Sequence, residues 1–241
     1  MNFTTVKREL EPLTPAEGLK WLSEQFGSQA TFSTSFGIED QLISYWIGSQ
    51  QLAVSVFSLD TGRLFQETYD VMALTTAKYK LPVRIYFPEA ARVEELVGQK
   101  GPNSFYESVE NRKECCNIRK VLPLKRALMG SKVWITGLRA DQSGNRQAMD
   151  AVSWDDGHKV IKYNPILHWS LEEVEAVINE KNIPVNTLHK KGYPSIGCAP
   201  CTRAIAPGED IRAGRWWWES SVKECGLHSV QEKQEKKNVV G

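Results

Sequence analysis

The sequence predicts an α/β fold, a parallel sheet with helices on both faces. Short runs rich in β-branched and aromatic residues recur along the chain, and stretches with helical spacing or helix-start chemistry separate them. Small and polar loops follow three of these runs: Ser33-Thr34-Ser35-Phe36-Gly37, Asp60-Thr61-Gly62-Arg63 and residues 137–146. In a parallel sheet such loops share the face at the carboxyl ends of the strands, where ligands bind.

The elements follow in order. Thr14-Pro15-Ala16-Glu17 is a capping box with proline at the first helical position, and predicts a helix to about Phe26, stopped by Gly27. Residues 30–36 read as a strand running into a loop, and 38–48 as a helix. A strand followed by a Ser/Gly turn and a helix can present backbone N–H groups to a phosphate. Residues 52–59 form a second strand, and Asp60–Arg63 open a helix to about Lys80 with Phe65, Tyr69 and Met72 at helical spacing. A third strand, 83–87, precedes a short helix at 89–98 and a loop at 99–110. Cys115 and Cys116 open a helix to about Leu128. Residues 133–137 are a fourth strand and 160–167 a fifth. Ser170 with Glu173 caps a helix to about Asn182, and regular structure fades after Pro184.

The chain of 241 residues suits one large domain or two small ones and can bury a core without disulfides or metal. Its net charge of +1 gives no global field for nucleic acid or an acidic membrane. No apolar run approaches the roughly 18–20 residues of a membrane span, and residues 1–18 have no signal-type apolar stretch, so a cytoplasmic location is expected. In a reducing cytosol, clustered cysteines are more often metal ligands or redox groups than disulfides.

Residues 197–228 hold three of the five cysteines, Cys198 and Cys201 as a CxxC pair and Cys225 alone, while Cys115 and Cys116 are adjacent. Four thiolates suit zinc or an iron–sulfur cluster. Adjacent cysteines strain to converge on one ion, whereas a cubane offers each thiolate its own iron, so the pattern favours a cluster. The bland alternative is two structural cysteines and an unrelated CxxC. Cys225 lies near Lys223 and His228, with arginines upstream, and cations raise a thiol's thiolate fraction. Either it performs chemistry or it is an idle cysteine near the C-terminus. Trp216, Trp217 and Trp218 suit packing better than a base platform. Lys120, Arg119, Arg139 and Arg146 read equally as surface charges, but Lys120 lies one helical turn past Cys116 and so close to the expected metal site.

The segments STSFGIED, SLDTGRLFQET, CCNIRK, TGLRADQSGNR, GCAPCTRAIAPGEDIRAGRWWWE and ECGLH, spanning residues 33 to 228, together resemble the bacterial iron–sulfur type of adenylyl-sulfate (APS) reductase, within the PAPS/APS reductase family. The resemblance implies a Rossmann-like sheet related to the PP-loop (adenine nucleotide alpha hydrolase-like) enzymes, with an irregular C-terminal segment. It implies one reductase domain over 1–228, and residues 229–241 read as a polar mobile tail. It implies one [4Fe–4S] cluster on Cys115, Cys116, Cys198 and Cys201, and Cys225 as the nucleophile. Lys120, Arg212, Arg215 and His228 would surround the phosphosulfate, and Ser33, Ser35, Leu59 and Gly137 the nucleoside side of the substrate. Cys225 would attack the sulfur, and a separate thioredoxin would release sulfite. No nucleic acid or membrane partner is expected, and a homo-oligomer is compatible. Typical PAPS reductases lack the cluster cysteines, which points to APS, with PAPS or both as the alternative. A PP-loop tRNA-thiolating enzyme would need an SGGxDS loop where this chain has STSFGIED. A zinc-stabilised binding module would have no role for Cys225.

Overall fold

A computed structural model describes residues 1–142 and 149–219. The chain opens on a helix that sequence reading missed, α1 (Phe3–Leu10), capped by Asn2, whose Oδ1 accepts from the Thr5 N–H at 2.9 Å. It buries Val6 and Leu10 in the main core. Helix α2 (Pro15–Phe26) starts on the expected capping box, with the Glu17 carboxylate accepting from the Thr14 N–H at 2.9 Å. Strand β1 (Ala30–Ser33) leads through the Ser/Gly loop into α3 (Ile38–Ser49). Strand β2 (Ser55–Leu59) and helix α4 (Gln66–Tyr79) follow. Between them Asp60–Arg63 form a turn rather than helix, with the Asp60 carboxylate accepting from Gly62 N–H at 2.7 Å and Gly62 at φ 72°. Strand β3 (Val83–Tyr86) and helix α5 (Ala90–Lys100) close the first half.

The region expected as loop and then a cysteine-led helix is arranged differently. Helix α6 (Val109–Cys116) starts at Ser108, whose side chain accepts from Asn111 N–H, so the two cysteines end a helix instead of opening one. A π-helical turn (Asn117–Val121) follows, in which Leu122 N–H donates to the Asn117 carbonyl, and then α7 (Leu122–Ala127). Pro123 explains the break: it lacks an N–H, and its ring would crowd the carbonyl four residues back in a regular helix.

Strand β4 (Val133–Ile135) is followed by β5 (Val152–Asp155), β6 (Val160–Tyr163) and α8 (Leu171–Glu180), which begins on the expected Ser170–Glu173 capping box. The sheet order is β3-β2-β1-β4-β6-β5. Five strands run parallel as expected, but β5 pairs antiparallel with β6, Val152 opposite Tyr163 and Asp155 opposite Val160. This edge hairpin turns at Asp156-Gly157, where the Asp155 carboxylate accepts from His158 N–H at 2.9 Å. The α/β, Rossmann-like class is otherwise as the sequence indicated.

The main core lies where α1, α2, α3 and α8 cover one sheet face, with Leu19, Leu22, Phe32, Leu42, Ile43, Ile47 and Val133 excluded from solvent. Each such side chain contributes about 1.5–3 kcal/mol of burial. Phe57, Leu124, Leu128 and Trp134 pack on the other face. Among the described residues no helix is long and apolar enough to cross a membrane.

Candidate active site

Strands β1 and β4 are neighbours whose connections leave in opposite directions, so their carboxyl ends form a switch point. A cavity of about 380 Å³ opens there. It is lined by Ser33, Ser35, Leu59, Lys120, Gly137, Arg212 and Arg215, all the expected substrate residues within the described part of the chain. Its charge is mixed. Lys120, Arg139, Arg212 and Arg215 contribute cations, and Glu39, Asp40 and Glu175 contribute carboxylates; Cys198 is also in the lining. His228 and Cys225 lie outside the described residues, as do Arg146 and residues 229–241.

The Ser/Gly loop is braced from within. Asp40, on the first turn of α3, accepts from the Ser35 N–H at 2.6 Å and the Ser35 hydroxyl at 2.7 Å. Burial pushes this carboxyl up to about 6, even though the Ser35 hydrogen bonds favour its ionised form. The Ser35 donors therefore meet a carboxylate of the chain itself. Phe36 takes φ 59° and is buried, which sets the sharp entry into α3. Ser33 Oγ accepts from the Trp134 indole N–H at 2.8 Å, tying the ends of β1 and β4 together. Gly137 sits against α3: an added Cβ would come within 2.3 Å of Asp40 Oδ1.

The C-terminal part folds back over the strand ends. Arg203 N–H donates to the Gly214 carbonyl at 3.0 Å, Trp216 N–H to the Cys201 carbonyl at 3.2 Å, and Thr202 bridges Arg215. Ala199 N–H donates to the Arg63 carbonyl at 2.8 Å, docking the CxxC turn on the Asp60–Arg63 turn. Arg215 runs across Gly197, where any Cβ would lie 2.3 Å from the guanidinium, and donates to the Ser195 hydroxyl and the Ile196 carbonyl.

Behind the cavity wall lies a small cleft lined by Cys115, Cys116, Cys198 and Cys201 together with Arg63, Arg112, Arg119, Lys120 and Trp216. Sequence reading expected these four cysteines to meet, and Lys120 to lie beside them. Lys120 and Cys198 line both the cleft and the cavity. Thr61 Oγ1 is 3.2 Å from Cys198 Sγ. Burial pushes the Cys201 thiol up to about 12, the neighbouring Cys198 adds to this, and Lys120 and Arg215 act against it. Burial also raises Cys115, against the pull of Arg119. Among the described residues no three His, Cys, Asp or Glu side chains are arranged to hold a single metal ion. Four thiols facing a cationic cleft with no carboxylate suit a group that bears several metal atoms and needs thiolate ligands.

Arg119 and Arg139, which read from sequence as ordinary surface charges, are buried here, and Glu175 and His189 were not singled out from sequence. Arg119 donates to the Thr61 carbonyl at 2.6 Å and braces the Asp60–Arg63 turn against the cysteines. Arg139 pairs with Glu39 at 3.0 Å inside the cavity wall. Glu175 and His189 line the cavity, and His189 is held by the Tyr193 carbonyl at 2.9 Å. Their placement depends on how α8 and the 187–191 turn pack, which residue type alone does not reveal.

The model of the phosphoadenosine phosphosulfate reductase domain matches residues 29–204. The adenosine 5'-phosphosulfate reductase of Agrobacterium fabrum is 51% identical over 203 residues, covering 84% of this chain and 78% of that protein. That of Allochromatium vinosum is 48% identical over 198 residues, covering 82% and 77%. The crystal structure of phosphoadenylyl-sulfate reductase from Candida auris, a phosphate complex, superposes with a TM-score of 0.71 at 29% identity, covering 84% of this chain and 96% of that one. The FMN adenylyltransferase of Candida glabrata, solved with FAD and pyrophosphate, shares the fold at a TM-score of 0.54 and 14% identity, over 89% of this chain and 73% of that one. With the family's domain covering most of the chain and its relatives matching about half of the aligned residues, the protein belongs to the phosphoadenosine phosphosulfate reductase family.

Proposed function

We propose that the protein reduces adenosine 5'-phosphosulfate to sulfite and AMP in sulfate assimilation, with thioredoxin as reductant and Cys225 as nucleophile. The observation that carries this is a cavity lined by the cations Lys120, Arg212 and Arg215 that shares Lys120 and Cys198 with the four-cysteine cleft. The two bacterial relatives compared above bear the name of the APS-reducing activity.

A sulfate joined to a phosphate presents a sulfur ringed by anionic oxygens, which repel a thiolate. Lys120, Arg212 and Arg215 offset that charge, and a fixed cation stabilises the transition state without reorganising at the moment of reaction. The Ser33–Gly37 loop, Leu59 and Gly137 shape the wall for the nucleoside. In this reading the Cys225 thiolate attacks sulfur, the bond from sulfur to the bridging phosphate oxygen breaks, and its electron pair leaves with AMP. Cys225 then carries an S-sulfonate. A thiolate of reduced thioredoxin attacks the Cys225 sulfur, sulfite departs with the S–S bonding pair, and the second thioredoxin thiol resolves the mixed disulfide. His228 completes the cationic surround.

Cys115, Cys116, Cys198 and Cys201 would hold one [4Fe–4S] cluster. When bound, it would supply charge beside Lys120 and join the end of α6 to the CxxC turn. The deciding experiment is anaerobic sulfite formation from APS and from PAPS with reduced thioredoxin. Turnover of APS well above PAPS supports the proposal. Equal turnover would make it a reductase of both, and turnover of neither would refute it.

A further inference from the structure

Glu219, the last described residue, is buried, and its side chain is 4% exposed. Its carboxylate is taken by Arg112 of α6 in a two-pronged pair, Nε to Oε1 at 2.9 Å and Nη2 to Oε2 at 2.8 Å. Arg112 is likewise 4% exposed, and its guanidinium also lies 4.8 Å from the centre of the Trp216 ring. Arg215 lies 4.9 Å from the same ring. Glu219 N–H donates to the Trp216 carbonyl at 2.9 Å, which closes a turn on this stack. Arg112 stands three residues before Cys115 on the same helix, and Glu219 stands six residues before Cys225. Glu219 itself lines neither the substrate cavity nor the cysteine cleft.

A charge pair this buried needs a reason, because desolvating two ions offsets much of their attraction, and apolar residues of similar size often serve stability equally well. What a forked Arg–carboxylate pair supplies is a fixed geometry. We infer that the Arg112–Glu219 pair is the root that fixes the chain six residues before Cys225, making Arg112 and Glu219 positioning residues for Cys225. The inference rests on the reading of Cys225 as nucleophile.

The reach of the chain gives the size of the effect. Six residues beyond a fixed Glu219 span at most about 20 Å. If the root retreats to the Thr202–Arg215 bridge, ten residues separate it from Cys225 and the span rises to about 35 Å. The upper bound on the volume within the thiol's reach then grows about fivefold, as the cube of the span. The loss falls on attack by Cys225, not on nucleotide binding.

The test is single-turnover formation of the sulfonate adduct on Cys225, followed by intact mass and peptide mapping in Glu219→Gln and in the milder Arg112→Lys. AMP affinity and iron content are measured alongside. The expected result is a three- to tenfold slower adduct rate in Glu219→Gln and a smaller loss in Arg112→Lys. AMP affinity should match wild type in both variants, and iron content in Glu219→Gln, whose side chain lines neither the cavity nor the cleft. The double variant should be no slower than the worse single one, since both changes break one pair. Adduct rates equal to wild type in both single variants would overturn the inference. So would a loss of AMP affinity and iron in proportion to rate in Glu219→Gln, which would mark the pair as a general structural support. An adduct on another residue in the wild-type protein would instead overturn the nucleophile reading itself.

Discussion

Beneath the sheet, side chains meet as hydrocarbon: Val6, Leu19, Leu22, Phe32, Ile43, Ile47 and Val133 are wholly excluded from water with no charge among them. Beyond the strand ends, the buried groups of 198–219 include two cysteines, a threonine, a carboxylate, and a tryptophan whose ring centre has the Arg112 and Arg215 guanidinium groups 4.8 and 4.9 Å away. The first region is held by non-directional burial, which tolerates small changes and needs no ligand. The second is held by directed contacts, each of which fails when one partner is removed. The sheet is thus a platform that should persist alone, and the C-terminal region is where the proposed chemistry would take place.

The largest expected effect isolates chemistry in the second region. Cys225→Ser should abolish sulfite formation almost completely, while the protein keeps the iron of the proposed cluster and its AMP binding, because a serine hydroxyl is barely ionised at neutral pH. Sulfite production by this variant at more than about a hundredth of the wild-type rate would place the nucleophile elsewhere. Next in size, Arg212→Ala and Lys120→Ala should each lower kcat/KM for APS by about a hundredfold, the usual consequence of removing one transition-state cation. Steady-state kinetics with the sheet's circular dichroism unchanged would show this. Unaltered kcat/KM in both variants would mean that the phosphosulfate binds away from these cations.

Cys201→Ala tests the contrast between the regions directly. It should lose the iron of the proposed cluster and raise hydrogen exchange in residues 198–219, while amides of β1, β2 and β4 keep their protection. Exchange rising equally in both regions would show that the sheet depends on the cysteine cleft after all.

The pH dependence of stability should carry the mark of Asp40, where the two regions meet. Its carboxyl is pushed up to about 6 by burial, from an ordinary value of 3.8. The folded state therefore holds this proton over a range in which the unfolded chain has released it. Stability falls as pH rises from about 4 to about 6 and is level above that. A rise of this size in a carboxyl pKa corresponds to at most about 3 kcal/mol. Asp40→Asn keeps an acceptor for Ser35 but cannot titrate. The difference in urea midpoint between wild type and variant should move in the variant's favour across that window, and a difference that stays constant with pH would refute the assignment.

How far the sequence reaches follows the same division. The capping boxes at Thr14 and Ser170, the strands around Phe32, Phe57 and Trp134, and the loops that follow them are legible, because local chemistry and periodicity specify them. Strand β6 falls within the expected fifth strand, 160–167, but its hairpin partner β5 escapes although Asp156-Gly157 carries a turn signal. Sequence puts the cysteines at a helix start because Cys115 and Cys116 precede an apolar run; Ser108, the true cap, lies seven residues earlier. The π turn before Pro123 has no readable pattern. That the four cysteines share a cleft follows from their grouping, but the Arg112–Glu219 pair spans 107 residues and is invisible to any local rule.

The smallest effects come from two glycines, one at the junction of the regions and one far from it. Gly137 closes β4 against the first turn of α3, and an added Cβ would lie 2.3 Å from Asp40 Oδ1 and 3.3 Å from the Asp40 amide nitrogen. The amide belongs to the helix backbone and cannot swing aside, and the carboxylate is already held by Ser35. Gly137→Ala should therefore cost about 1–3 kcal/mol, as overpacking does, and weaken AMP binding by displacing the Ser33–Gly37 loop. Gly98 lies inside α5 with nothing within 4 Å of an added Cβ. There the same substitution should stabilise by about 0.5–1 kcal/mol, through helix propensity and lost unfolded-state freedom. Urea denaturation with AMP titration on both variants gives the comparison. Opposite signs in stability, with AMP affinity reduced only in Gly137→Ala, would show that the cavity is shaped by backbone contact at the switch point. Equal effects at the two positions would mean that the β4–α3 junction has slack, and that the nucleoside wall is set by side chains instead.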